Sequence, residues 1–308
     1  PIVFFGSGPV AADSLRLLAT YANIEAVITK PRPLHHKGDV PVLRAAEDLS
    51  LPIYSVDNKK SLDTLFSKQP IRSTLGILID FGIIVSQAVI DYFPKGIINS
   101  HFSLLPEWRG ADPITFSILS GQQQTGVSLM LLTAGMDEGP LLAQAPYSLP
   151  VTITTPELTS DLIALSDSML QHIVPLWQAG KTEAMPQEQA TIAPSATPTY
   201  SRKLSKKDGI IDWSKDADVI EREVRAFAGW PNSRSNLGID AIAMRGTVNN
   251  PAAAAAPADR DAAGGKQRSV PDQKTGHHHD RKRRVERHLH RARLDPRRHD
   301  GVRHRPAL

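Results

Sequence analysis

The chain has 308 residues, no cysteine and a formal net charge of +4, enough length for about two domains with a sizeable core. The missing cysteine excludes disulfides, thiolate metal sites and a cysteine nucleophile, and fits a cytoplasmic protein. No apolar stretch approaches the ~18 residues of a membrane helix and no charged-then-apolar leader opens the chain, so no membrane partner is expected.

Charge is unevenly spread: Pro1 to Pro257 carries 21 Lys/Arg against 25 Asp/Glu, and Ala258 to Leu308 carries 15 against 7. The basicity belongs to the tail, so nucleic-acid binding by the rest must rest on a local basic surface. Pro1 stands almost inside the first expected strand, and an initiator Met with a few residues is expected to precede it.

Ile2 to Phe5 reads as a buried strand, Gly6-Ser7-Gly8-Pro9 as a turn, and Val10 to Tyr21 as a helix with Pro9 suited to its first turn. Ile24 to Thr29 is the next strand. A Pro- and His-rich loop follows, then a helix near Val42 to Leu49 and a short strand around Ile53. Leu75 to Ile79 and Ile97-Ile98 read as continuous apolar strands flanking a helix near Gln87 to Tyr92. This alternation predicts an α/β fold, with a Rossmann-like, mostly parallel sheet covered on both faces. Val127 to Leu132 and Leu141 to Leu149 close it as an antiparallel pair. Leu158, Leu162, Leu165, Met169, Ile173 and Trp177 recur at helical spacing, so a long helix packs on the sheet and ends a first domain at 1–180.

Residues 181–198 are rich in Pro, Thr, Ala and Gln, which suits a solvated linker. A smaller unit, 199–246, offers a strand near Ile210 to Trp213, a helix from about Ala217 to Phe227 and a Trp230-Pro231 turn. After Leu237 the alternating strands expected of a β domain are missing. Residues 247–308 form a basic, low-complexity tail with too few large apolar residues to offset chain entropy, so disorder is expected there.

Two polar islands interrupt apolar stretches. Asn99-Ser100-His101-Phe102-Ser103-Leu104-Leu105-Pro106-Glu107-Trp108-Arg109-Gly110 follows Gly96-Ile97-Ile98, and Gly135-Met136-Asp137-Glu138-Gly139-Pro140 follows Val127 to Leu132. Apolar runs that end this way deliver side chains to the rim of an open sheet, where α/β enzymes place their chemistry. His101 and Asp137 stand 36 positions apart. An Asn, a His and an Asp meeting there can polarise a carbonyl, move a proton and tune the imidazole. Each also has a structural reading: a satisfied core histidine, a turn-forming aspartate, a strand-capping asparagine.

These islands, with Ile2-Val3-Phe4-Phe5-Gly6, Tyr200-Ser201-Arg202-Lys203-Leu204-Ser205, Asp208-Gly209-Ile210-Ile211-Asp212-Trp213, Arg225-Ala226-Phe227 and Trp230-Pro231, resemble the folate-dependent formyltransferases. Within that family they are most similar to the branch acting on methionyl initiator tRNA. The resemblance covers roughly residues 1–238. It implies that a formyl group passes from 10-formyltetrahydrofolate, a co-substrate, to the α-amine of initiator methionyl-tRNA, with Asn99 and His101 stabilising a tetrahedral intermediate and Asp137 tuning the imidazole. It implies that the C-terminal unit is an OB-type β-barrel, here truncated or disrupted. A monomer is expected.

The same resemblance places folate against Ser103, Leu104, Leu105 and Pro106 and against the apolar wall of Phe81, Gly82 and Ile83. A turn over core leucines and plain core packing are the rival readings. Arg32 and Lys37, on a loop about four residues shorter than the family's, and Arg109 are candidate tRNA contacts; a solvated loop and a surface salt bridge compete with these. Phe102 and Asp112 depart from the family's smaller residues. A sugar-amine formyltransferase, a formyltetrahydrofolate hydrolase on the same three residues, and an inactive RNA-binding relative are the alternatives.

Gly6-Ser7-Gly8-Pro9-Val10-Ala11 matches a dinucleotide fingerprint, but the acid expected at the end of the second strand is replaced by Thr29 while Glu25 starts that strand, so no NAD is expected. The triplet His277-His278-His279 has nothing around it to close a metal site, so no metal is expected. The tail itself is expected to come from a shift of reading frame near Leu237 to Asn250, a natural basic tail being the rival. Sequencing the gene decides: an alternative frame there should encode alternating Val/Ile strands, and its absence refutes the shift.

Overall fold

The structure, a computed structural model, describes residues 1–32, 39–189, 192–193 and 197–235. Strand β1 (Ile2–Phe5) is buried on both faces, Ile2 and Phe4 entering one core and Val3 and Phe5 the other, as the two-residue period of a strand requires. Helix α1 (Pro9–Leu18) opens on Pro9, whose missing N–H is no loss in a first turn. Then come β2 (Ile24–Thr29), α2 (Pro41–Asp48), β3 (Ile53–Ser55), α3 (Lys59–Lys68), β4 (Gly76–Leu78), α4 (Gln87–Asp91) and β5 (Ile97–His101). These five strands are parallel, in the order β3-β2-β1-β4-β5, so strand order reverses beside β1.

A two-residue strand β6 (Arg109–Gly110) and helix α5 (Pro113–Leu119) lead to β7 (Gln124–Leu131) and β8 (Leu141–Ser148). The last two run antiparallel beside β5 and complete a seven-stranded sheet. Helix α6 (Thr155–Gln178) buries Leu158, Leu162, Leu165 and Met169, the stripe read from the sequence, while Trp177 donates from its indole to the Lys95 carbonyl at 2.8 Å. The opposite face is covered by α3 and α4 over an aromatic cluster of Phe5, Phe66, Phe81 and Phe93. Strand β9 (Tyr200–Ser201) pairs in parallel with β6, and α7 (Ala217–Ala226) follows. Among the described residues, no helix is long and apolar enough to cross a membrane.

The Rossmann-like, mostly parallel sheet expected from the alternation is present. Two helices go beyond it. Helix α3 rests on a stripe of only Leu62, Leu65 and Phe66, with Asn58 accepting from the Ser61 amide at 2.9 Å as its cap. Helix α5 begins at Pro113 with Asp112 as its capping residue, which gives that departure from the family pattern a local function. Glu25, at the start of β2, accepts from the Arg72 and Ser73 amides and the Ser73 hydroxyl. Desolvation opposes its charge, yet those hydrogen bonds hold the carboxyl below its ordinary range.

Among the described residues of the 181–198 linker, Met185 and Gln187 are not wholly solvated. Met185 and Leu141 exchange both backbone hydrogen bonds, at 2.7 and 2.8 Å, and Gln187 is 3% exposed. The strand expected near Ile210 to Trp213 is a single bridge from Ile210 to Arg234, because the chain turns away on either side of it. Leu204, Ala226 and Phe227 join the main core, Thr155 donates to the Ala226 carbonyl, and Arg225 donates to the Ile153 carbonyl at 3.0 Å. Lys37, residues 236–246 of the expected C-terminal unit and the whole tail lie outside the described residues.

Because α6 lies on the main core, Leu162→Ala should lower unfolding free energy by about 2–5 kcal/mol. Gln171→Ala on its exposed side should change it by about 0.5 kcal/mol or less. Urea denaturation of both variants checks this.

Candidate active site

Asn99 and His101 are two residues apart on β5, so their side chains share one sheet face, while Ser100 points the other way and meets the Ser166 hydroxyl of α6 at 2.7 Å. The loop joining β7 to β8 folds back over that first face and brings Asp137 to both. Asn99 Nδ2 donates to Asp137 Oδ1 at 3.3 Å, and His101 Nδ1 stands 3.9 Å from the same oxygen. The other carboxylate oxygen accepts the Gly110 amide at 2.7 Å. Asn99 and His101 are buried, and the Asp137 side chain is 15% exposed. The structure thus brings together the three residues picked out as a catalytic set.

Their protonation geometry follows from one carbonyl. His101 Nε2 lies 2.9 Å from the Trp108 oxygen, which can only accept, so Nε2 carries a proton. Nδ1 is then the nitrogen left to face Asp137 and the reacting groups. At 3.9 Å it is beyond direct hydrogen-bond reach of the carboxylate.

The segment from Phe102 to Gly110 is heavily tied down. Ser103, Leu104, Leu105 and Pro106 are all buried. Leu105 donates its amide to Ser128 Oγ at 3.0 Å and accepts from Gln144 Nε2 at 2.8 Å. These side chains are committed to the interior, so what the segment offers a ligand is main chain. Gly110 adopts φ +109°, and a Cβ there would fall 2.4 Å from the Ser201 oxygen, so glycine is required where β6 meets β9.

Phe81, Gly82 and Ile83 follow β4 beside this face, since β4 and β5 register Leu78 against Asn99. Phe81 packs into the aromatic cluster, Gly82 is exposed and Ile83 half-buried. The neighbouring Ile84 is 77% exposed. Arg32 is exposed at the far end of β2. Arg109 differs from the expected phosphate contact: its side chain is buried, with Nη1 3.3 Å from Glu138 Oε1 and Nη2 2.8 Å from Gln187 Oε1. β6 is held against β9, and the guanidinium is taken up by the half-exposed Glu138 and the buried Gln187. Gln187, invisible to sequence reasoning in a Pro- and Ala-rich stretch, donates to the Asp137 and Gly139 carbonyls at 2.7 and 2.9 Å.

A further carboxyl stands near the strand ends. Although Asp80 as a residue is exposed, its carboxyl is tucked against the turn after β1, where a Cβ on Gly8 would fall 1.9 Å from Oδ2. Desolvation pushes its pKa up to about 6, with Lys30 pulling it down and Asp112 pushing it up. Among the described residues, no group of three or more His, Asp or Glu is placed to hold a metal ion. A groove of roughly 550 Å³ is lined by Glu107, Gln122, Gln123, Gln124 and Ser148 and by none of the three central residues.

A doubly wound sheet with an amide, an imidazole and a carboxylate converging beside one of its inner strands is the architecture of an α/β enzyme, and those groups can donate hydrogen bonds and move a proton. Residues 20–172 match the formyl transferase family and residues 203–247 the formyl transferase C-terminal domain. The chain is 35% identical over 237 residues to a methionyl-tRNA formyltransferase of Chloroflexus aggregans, covering 75% of each chain. It is 34% identical over 252 residues to one of Stenotrophomonas maltophilia, covering 80% of each. Its fold is shared by an N-formyltransferase of Helicobacter canadensis solved with folinic acid and dTDP-3-aminofucose, at 18% identity and TM-score 0.56, covering 73% of this chain and 80% of that one. The chain belongs to the formyl transferase family, enzymes that transfer a one-carbon formyl group.

An acid whose pKa is raised in the folded state stabilises the fold only while protonated. For Asp80 the ionisation penalty is absent below its ordinary 3.8 and complete above about 6. Asp80→Asn should therefore be more stable than the native chain at pH 7, with the difference closing by about pH 4. Unfolding midpoints measured across that range check it.

Proposed function

We propose that the chain transfers the formyl group of 10-formyltetrahydrofolate to the α-amine of methionyl initiator tRNA. The observation that carries this reading is the convergence of Asn99 and His101 on Asp137 within a chain about 35% identical to methionyl-tRNA formyltransferases over three-quarters of its length. Among solved relatives, an N-formyltransferase from Helicobacter canadensis holds folinic acid.

The uncharged amine attacks the formyl carbon, a C–N bond forms, and the carbonyl oxygen takes the electron pair. Asn99 has a second Nδ2 hydrogen beyond the one given to Asp137, and a protonated His101 has its Nδ1 hydrogen; both serve the oxyanion. When the bond to N10 breaks, the pair on oxygen re-forms the carbonyl, N10 takes the bonding pair and a proton from the imidazolium of His101, and the amine gives its proton to Asp137, directly or through water. No covalent enzyme intermediate is needed. The family's co-substrate supplies an activated formyl group; the residues present fit it through the exposed Gly82 main chain and the apolar Ile83 and Ile84, which suit a flat ring. The main chain of Ser103 to Pro106 offers further contacts. Arg32 and Lys37 are the proposed phosphate contacts, and Arg109 is assigned to the interior instead.

Losing one oxyanion donor typically costs ~10²- to 10³-fold in rate. Asn99→Ala, His101→Ala and Asp137→Ala should each lose at least about 10²-fold in transfer. Labelled 10-formyltetrahydrofolate offered with charged initiator tRNA, an amino-sugar nucleotide or water alone measures it. Transfer to the charged tRNA is the expected result; preferred formylation of the sugar, hydrolysis alone, or near-normal turnover by His101→Ala refutes the reading.

A further inference from the structure

The segment between α6 and β9 returns to the site at a place nothing in the transfer chemistry calls for. Gln187 is 3% exposed and spends its whole amide on the catalytic loops. Its Nε2 donates to the carbonyls of Asp137 (2.7 Å) and Gly139 (2.9 Å), and its Oε1 accepts from Arg109 Nη2 (2.8 Å). The residue after Arg109 is Gly110, whose amide binds Asp137 Oδ2 at 2.7 Å. A closed ring results: Gln187 to Arg109, along the chain to Gly110, across to the Asp137 carboxylate, and back through the Asp137 carbonyl to Gln187.

That ring has something to hold. Asp137 sits at φ +51°, a left-handed conformation that crowds the Cβ of a non-glycine residue against its own backbone. Two carbonyls two residues apart in a tight turn also repel unless a donor lies between them, and one NH₂ with two hydrogens meets both. The loop has no slack on its other side, since a Cβ on Gly139 would lie 1.7 Å from the Leu131 oxygen. Removing the amide frees the turn to swing, and the carboxylate goes with it.

We propose that Gln187 is a positioning residue: it fixes the backbone that aims Asp137 at Asn99 and His101, making the segment joining the two halves of the chain part of the active site. This rests on the reading of Asp137 as a catalytic group. Two flanking anchors support the assignment. Met185 is paired to Leu141 just before Gln187, and Thr199 further along accepts the Trp108 amide on Oγ1 at 2.9 Å. The carbonyl of that same Trp108 holds His101. One stretch of chain therefore touches the supports of both the carboxylate and the imidazole.

Two variants in the full chain test it. Gln187→Met keeps the shape and loses every hydrogen bond; Gln187→Glu keeps the acceptor for Arg109 and loses both donors. Both should lower kcat roughly 10- to 100-fold with KM for formyl-folate and acceptor nearly unchanged, as expected for a displaced catalytic group. Normal kcat in both overturns the proposal, as does a rise in KM with unchanged kcat. Near-normal activity in Gln187→Glu beside a loss in Gln187→Met also overturns it, because only the anchoring of Arg109 would then matter. Imidazole ¹⁵N resonances of His101 give a readout independent of turnover. A shift in both variants, absent in an exposed control such as Gln171→Met, supports the proposal, and unmoved resonances overturn it. A native chain inert toward every acceptor sinks the function reading alone, and the resonances then decide the positioning.

Discussion

The carboxylate of Asp137 is the group on which the site is assembled. One of its oxygens faces an amide and an imidazole on β5, the other is held by the Gly110 amide at 2.7 Å, and its own backbone carbonyl is held from behind. A largely buried carboxylate persists only when its lone pairs are met, and here the partners come from three distant stretches of chain. Bringing those stretches together is what the sheet order accomplishes. β5 lies between the parallel half and the antiparallel β7, so the loop after β7 falls on the face that Asn99 and His101 present.

The imidazole is governed by the same economy of contacts. Trp108 lends its carbonyl to Nε2 from a backbone held at φ +56°, and its own amide is tied to Thr199. A left-handed residue beside the imidazole and another bearing the carboxylate mean that both groups depend on backbone that would relax if left alone. Strain of this kind persists only where the surroundings over-determine it. The surroundings here include a two-residue parallel pairing, β6 with β9, that reaches across more than ninety residues of sequence.

Much of this was legible beforehand for physical reasons. Ile2 to Phe5, Ile24 to Thr29 and Ile97-Ile98 announce buried strands because both faces must be apolar. The stripe from Leu158 to Trp177 announces its helix because 24 residues give many turns of consistent period. The convergence of Asn99, His101 and Asp137 was readable because they sit in polar islands inside apolar runs. Helix α3 escaped because three apolar residues make too short a stripe, and β6 with β9 because two residues carry no period at all. Arg109 was placed at the surface because charge is the only cue a sequence offers for an arginine, whereas its burial depends on a glutamine 78 positions away. Gln187 left no trace, since an amide's worth lies wholly in what surrounds it.

The packing of α7 carries a consequence for how the chain can vary. Ala226 and Phe227 fill the same interior as the sheet helices, and the Ala226 carbonyl receives the hydroxyl at the start of α6. Among the described residues, the two family-matched portions therefore share one interior. A change of side-chain volume on either side of that contact must be answered on the other.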